Sequence, residues 1–171
     1  MFKHTGIVRR IDNIGRIVIP KEVRHKFRIH EGDPIEIGED GDFIALKQYS
    51  VMEFGGEVVR KILISFSKTT SHPVVLCSTT HTLNSFRIPM KTPEYLTRKL
   101  CDALHHNDNT CLGYEITDES RIKVRTLERI NIGGIVEGVL IIPQTSANAT
   151  VTDADKACLK LCANQIAELL G

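Results

Sequence analysis

Apolar residues change their rhythm near residue 50. Before that point they come in short β-branched bursts. Thr5–Ile11 and Arg16–Ile19 predict two short strands, joined by a turn at Asp12-Asn13-Ile14-Gly15 in which Gly15 can take a positive φ. Pro20 suits the first position of a helix that runs to about Arg28, with Val23 and Phe27 one turn apart on a core-facing side. Glu31-Gly32-Asp33 breaks the chain, and Pro34–Gly38 and Phe43–Lys47 pair as a hairpin through Asp40-Gly41.

Beyond the joint at Tyr49–Gly56 the rhythm is that of an α/β domain. Val58, Val59, Ile62, Leu63 and Phe66 fall on one stripe of a helix over Glu57–Phe66, with an apolar face free for a partner helix. Pro73–Cys77 is a buried-type strand, Glu94–His105 a helix, and Ile122–Leu127 and Ile135–Ile142 strands on either side of Ile132-Gly133-Gly134. Thr152 is a good N-cap with Asp155 at the third helical position, and the last helix reaches Leu170.

Charge sharpens the division. Residues 1–28 hold eight Lys or Arg against two acids, a net +6, and residues 29–50 hold one base against six acids, a net −5. The formal net charge of +1 for all 171 residues conceals this. A positive face of that density points to a phosphate backbone as partner, so duplex DNA is the expected ligand. On the first helix Lys21, Arg24, His25 and Arg28 stand at i, i+3, i+4 and i+7 and share a face; Arg9, Arg10 and Arg16 come from the adjoining strands. A fifty-residue unit with so few large apolar side chains is marginal alone, which predicts a homodimer through residues 1–50.

Composition narrows the remaining classes. No apolar run approaches membrane-spanning length, and no signal-peptide core follows the basic N-terminus, so a cytoplasmic protein without membrane contact is expected. The five cysteines, with no CxxC pair, suit reduced thiols. Cys101, His105, His106, Asp108 and Cys111 form a donor set that zinc accepts, but the spacing fits no standard finger, and neither metal nor cofactor is expected. Cys158 and Cys162 read as core residues. Cys77 with His72 or His81 lacks an orienting group and an oxyanion site, so the chain is not expected to be an enzyme.

The segment TGIVRRIDNIGRIVIPKEVRHKFRIHEGDPIEI at residues 5–37, continued by DFIALKQYS at 42–50, resembles the AbrB-type swapped-hairpin DNA-binding domain. The resemblance implies an α+β protein whose residues 1–50 form a swapped-hairpin β-barrel as a dimer. Residues 51–56 are then a joint. Residues 57–171 are expected to form an α/β GAF-like domain that regulates and oligomerises, because regulators of this kind from spore-forming bacteria end in a GAF domain. It further implies a transcription regulator of loosely defined AT-rich sites, assembled as a dimer or, through the C-terminal domains, a tetramer. The family's DNA-contacting arginines match Arg9, Arg16 and Arg24, and its supporting basic positions match Arg10 and Lys3. His25 stands where the family often has a second arginine. The final helix, VTDADKACLKLCANQIAELL, resembles the last helix of GAF domains, which often bind small molecules. No ligand residue transfers; Ser78, Thr79, Thr80 and the Gly133-Gly134 loop are candidate pocket walls for an unknown small molecule. The rival readings are an antitoxin-like protein-binding module and a ligand sensor without direct DNA regulation.

Overall fold

A computed structural model describes residues 5–106, 111–145 and 150–171. The chain forms two compact units, Met1–Gln48 and Tyr49–Gly171.

In the first unit, the turn after Ile11 is closed by two backbone bonds. The Asp12 N–H donates to the Arg16 carbonyl at 3.0 Å and the Gly15 N–H to the Asp12 carbonyl at 3.1 Å, with Gly15 at φ +84°. Helix α1 spans Lys21–Phe27 with Pro20 as its N-cap, one position later than the sequence predicts. It ends where Arg28 turns left-handed at φ +57° and Ile29 N–H returns to the Arg24 carbonyl at 2.9 Å. Strands β1 (Ile35–Asp40) and β2 (Phe43–Gln48) form the expected antiparallel hairpin, Ile37 facing Leu46 and Glu39 facing Ile44.

Two expectations for this unit are not met within one chain. Thr5–Ile11 and Arg16–Ile19 carry no strand pairing. A strand is defined by its ladder, and the fold supplies these segments only the turn closure between them. Nor does Phe27 dock on a core: it is 44% exposed, and no described residue of 5–48 is buried.

The second unit has the core that the first lacks. A short 3-10 helix at Val51–Gly55 leads into α2 (Gly56–Thr70). Four antiparallel strands follow in spatial order β4-β3-β6-β5: β3 is Val74–Ser78, β4 Thr82–Phe86, β5 Val124–Ile132 and β6 Ile135–Pro143. Helix α3 covers Arg98–His105 and α4 covers Asp153–Leu170.

Alternation on the two central strands divides the core in two. Val74 and Leu76 of β3 with Leu140 and Ile142 of β6 pack with α2 and α4, against Leu63, Phe66, Leu159 and Ile166. Val75, Cys77, Val139 and Ile141 face the other way, against Leu96, Leu100, Leu104 and Ile116. Cover on both faces explains why residues 74–77 of β3 and 139–142 of β6 read as unbroken apolar runs.

Three details depart from the sequence reading. β4 was not expected. Helix α3 begins at Arg98 rather than Glu94, because Glu94–Leu96 runs beside Thr80–Thr82: Thr82 N–H donates to Glu94 O and Leu96 N–H to Thr80 O, each at 2.8 Å. The α2 stripe is not free for a partner. Val59, Leu63 and Phe66 are consumed by the core, and Val58 alone of the five points outward, 51% exposed.

The N-terminus of α4 has the predicted capping box. Asp155 N–H donates to Thr152 Oγ1 at 3.2 Å, and the Asp155 carboxylate accepts from the Thr152 N–H at 2.8 Å and hydroxyl at 2.7 Å. His72, buried at the start of β3, reaches the same carboxylate at 3.3 Å and so ties the end of α2 to the start of α4. The Thr152 donors, then His72, hold the Asp155 carboxyl below its ordinary pKa. We expect Asp155→Asn to destabilise the second unit by about 1 kcal/mol at neutral pH. Because the folded pKa is depressed, the contribution is full above the unfolded value near ~3.9 and is lost as pH falls through the folded value. Urea denaturation at a series of pH values should show wild type and variant converging below pH ~4.

Candidate nucleic-acid interface

The basic residues lie on two adjoining pieces of the first unit, the Asp12–Arg16 turn with its flanks and α1. Arg9 and Arg10 precede the turn and are exposed; an Arg9 terminal nitrogen donates to the Val8 carbonyl at 2.9 Å. Lys21, Arg24 and His25 sit on α1, with Lys21 and His25 exposed and Arg24 half-buried. Arg28 does not continue their face: as the left-handed C-cap it leaves the helical path. Lys26, absent from the predicted face, lies 5.3 Å from the Phe27 ring centre. Lys3 lies outside the described residues. The hairpin carries the opposite charge in exposed Glu36, Glu39, Asp40 and Asp42. Charge in this unit is therefore divided by element, with cations on the turn and helix and acids on the hairpin.

Asp12 is the functional candidate that charge counting passes over. One carboxylate oxygen accepts from the Ile14 N–H at 3.1 Å and the Arg16 N–H at 2.8 Å, and the other accepts from Arg16 Nε at 2.8 Å. The backbone and side-chain donors of Arg16 hold the Asp12 carboxyl below its ordinary pKa. The signal was legible as Asp and Arg at i and i+4 across an Asx-type turn.

The second unit absorbs its chemical candidates into structure. Cys77 and Cys101 are fully buried in the α3-side core, and burial pushes the Cys77 thiol far above its usual pKa, the wrong direction for a nucleophile. Its two candidate bases are engaged elsewhere, His72 with Asp155 and His81 with Thr80 Oγ1 at 2.8 Å and the Tyr95 ring. Cys111 is buried in the same core; of the other members of the zinc-like set, Asp108 lies outside the described residues. Burial, with Cys158 beside it, pushes Cys162 up to about 11. The suggested pocket walls are turn residues. The Ser78 hydroxyl accepts from the Thr80 and His81 N–H groups, and Gly133 and Gly134 take φ +59° and +86° in a two-residue hairpin turn. An open depression of about 450 Å³ does lie beside α3, bordered by Arg98, Lys99, Tyr114, Glu115 and Lys123, with the Lys99 ammonium 4.1 Å from the Tyr114 ring centre.

This architecture, a basic turn and helix with a hairpin followed by a helix-flanked antiparallel sheet, resembles an AbrB/MazE-type domain followed by a domain with the fold of a GAF-containing protein. Residues 8–50 match the family model described as "Antidote-toxin recognition MazE, bacterial antitoxin". The chain resembles stage V sporulation protein T of Bacillus subtilis (strain 168), 46% identical over 76 residues that cover 44% of this chain and 43% of that protein. That stretch is longer than the first unit, so the similarity extends into the second. The transition state regulatory protein AbrB of the same organism is 51% identical over 47 residues, 28% of this chain and 49% of that one. The putative transition state regulator Abh is 49% identical over 47 residues, 28% of this chain and 51% of that one. The chain thus spans about half the length of the curated relatives it matches. A GAF domain/HD domain protein from Geobacter sulfurreducens shares the fold with a TM-score of 0.52 at 13% identity, over 70% of this chain and 93% of that one. Among the described residues no helix is long and apolar enough to cross a membrane.

Proposed function

We propose that this protein is a DNA-binding transcription regulator of sporulation-related genes. One observation carries the reading: a net charge of +6 over 28 residues, presented by the turn and helix of a domain shared with named regulators. Arg9, Arg16 and Arg24 make the principal contacts, and Lys3, Arg10, Lys21, His25 and Arg28 supply phosphate neutralisation. His25 lacks arginine's fixed fork and so contributes less than an arginine would at that position. AT-rich sites are favoured through DNA shape and deformability, with few fixed base contacts.

The first unit acts as a homodimer. Ile35, Ile37, Ile44 and Leu46 share one face of the hairpin, and Ile37 and Ile44 are 72% and 76% exposed in the single chain. A second copy whose strands interleave with these covers that face and supplies the missing ladder for residues 5–11 and 16–19. The second unit joins dimers into a tetramer through the outward sides of α2 and α4, where Val58, Leu161 and Leu169 are exposed.

Fluorescence anisotropy with an AT-rich duplex across a salt series tests the reading. Phosphate contacts by Lys3, Arg10, Lys21 and Arg28 from each of two copies predict a log–log slope of about −7. Absence of binding at low salt overturns it. The description of the matched family favours a second reading, a toxin-binding module. A folded second unit with two cores, in place of an extended tail, counts against it.

A further inference from the structure

We propose that Asp12 is a positioning residue for sequence recognition: it clamps Arg16 so that only the end-on edge of the guanidinium meets a base pair, and it sets discrimination between sequences without touching DNA. The inference rests on the DNA-binding reading above. Its basis is local. One carboxylate grips Arg16 at both ends of its stem, at the backbone N–H and at Nε, each 2.8 Å away. The same carboxylate closes the turn on the Ile14 N–H. Together these bonds set the course of the aliphatic stem, although the Arg16 side chain is 75% exposed.

A guanidinium can offer two donors side-on, Nε with one terminal nitrogen, or end-on, both terminal nitrogens. With Nε occupied, the end-on pair is what remains, and it matches two adjacent acceptors such as guanine O6 and N7. Charge alone does not account for Asp12. It is the single acid in residues 1–21, and a carboxylate in that stretch weakens general attraction to phosphate. What it supplies in return is direction.

The two effects have opposite signs, which makes the test sharp. A selection from random-sequence duplexes with the full-length wild-type protein yields a best-bound duplex, and a shuffled duplex of equal composition serves as its reference. Anisotropy at one salt concentration then gives the affinity ratio for wild type, Asp12→Asn, Arg16→Ala and the double variant. Asparagine keeps an oxygen acceptor for the Ile14 and Arg16 amides, so the turn persists, which circular dichroism checks. We expect Asp12→Asn to cut the ratio about 10-fold while binding to the shuffled duplex is unchanged or tighter. In the Arg16→Ala background the same substitution should leave the ratio unchanged. An equal change on both duplexes, or a ratio change that persists without Arg16, overturns the inference. If Arg16→Ala weakens binding and Asp12→Asn is inert, the inference falls and the DNA reading stands. If the wild type binds no duplex, both fall.

Discussion

Replacing Arg16 and Arg24 together by alanine is expected to abolish DNA binding at moderate salt without disturbing the fold. Neither side chain is buried, so neither substitution opens a cavity. In the proposed dimer the pair becomes four lost contacts. At roughly 1 kcal/mol each, the low end for such arginines, affinity falls on the order of 10³-fold. If all four touch phosphate, the salt slope should also shrink by about 3.6, whereas contacts to base edges leave it largely intact. The salt series therefore separates the two kinds of contact. Unchanged affinity in the double variant would remove both residues from the interface.

The second large effect is expected from Ile44→Asp. Ile44 faces Glu39 across the hairpin and shares its face with Ile37 and Leu46. If a second copy covers that face, the substitution forfeits about 1.5–3 kcal/mol of isoleucine burial and adds the cost of enclosing a carboxylate. Amide exchange over residues 35–48 should then accelerate toward the unfolded rate and DNA binding should vanish, while the second unit melts as before. Ile44→Val, which keeps the shape, should cost only about 1 kcal/mol. Molecular mass is a poor readout here, since copies can stay joined through α2 and α4; local exchange is the decisive one. Were Ile44 an ordinary surface residue, both substitutions would stay within about 0.5 kcal/mol, and the dimer proposal would fail.

How far the sequence could be read depended on how local each signal was. Helix α4 was legible because its capping box is written in four consecutive residues, and β3 and β6 because residues 74–77 and 139–142, covered on both faces, are apolar without interruption. The α1–hairpin segment was legible from Pro20 and Asp40-Gly41. β4 escaped notice because it is made by pairing with β3 and with the approach to α3, contacts that no local pattern records. The segments at 5–11 and 16–19 show the reverse. Their β-branched pattern is clear, but one chain holds no partner ladder for it. The site divides in the same way. Clustered charge exposed the arginines, whereas Asp12, whose proposed role lies in the direction of its hydrogen bonds, counted only as one of two acids against eight bases.

The bare first unit has a further consequence. No described residue between 5 and 48 is buried in the single chain. With pairing as proposed, the DNA-gripping surface exists only where two chains meet, so its abundance follows mass action. At low copy number, halving the protein removes more than half of the competent surface. Such a regulator responds to its own dosage more steeply than in proportion, over a concentration range set by the pairing constant.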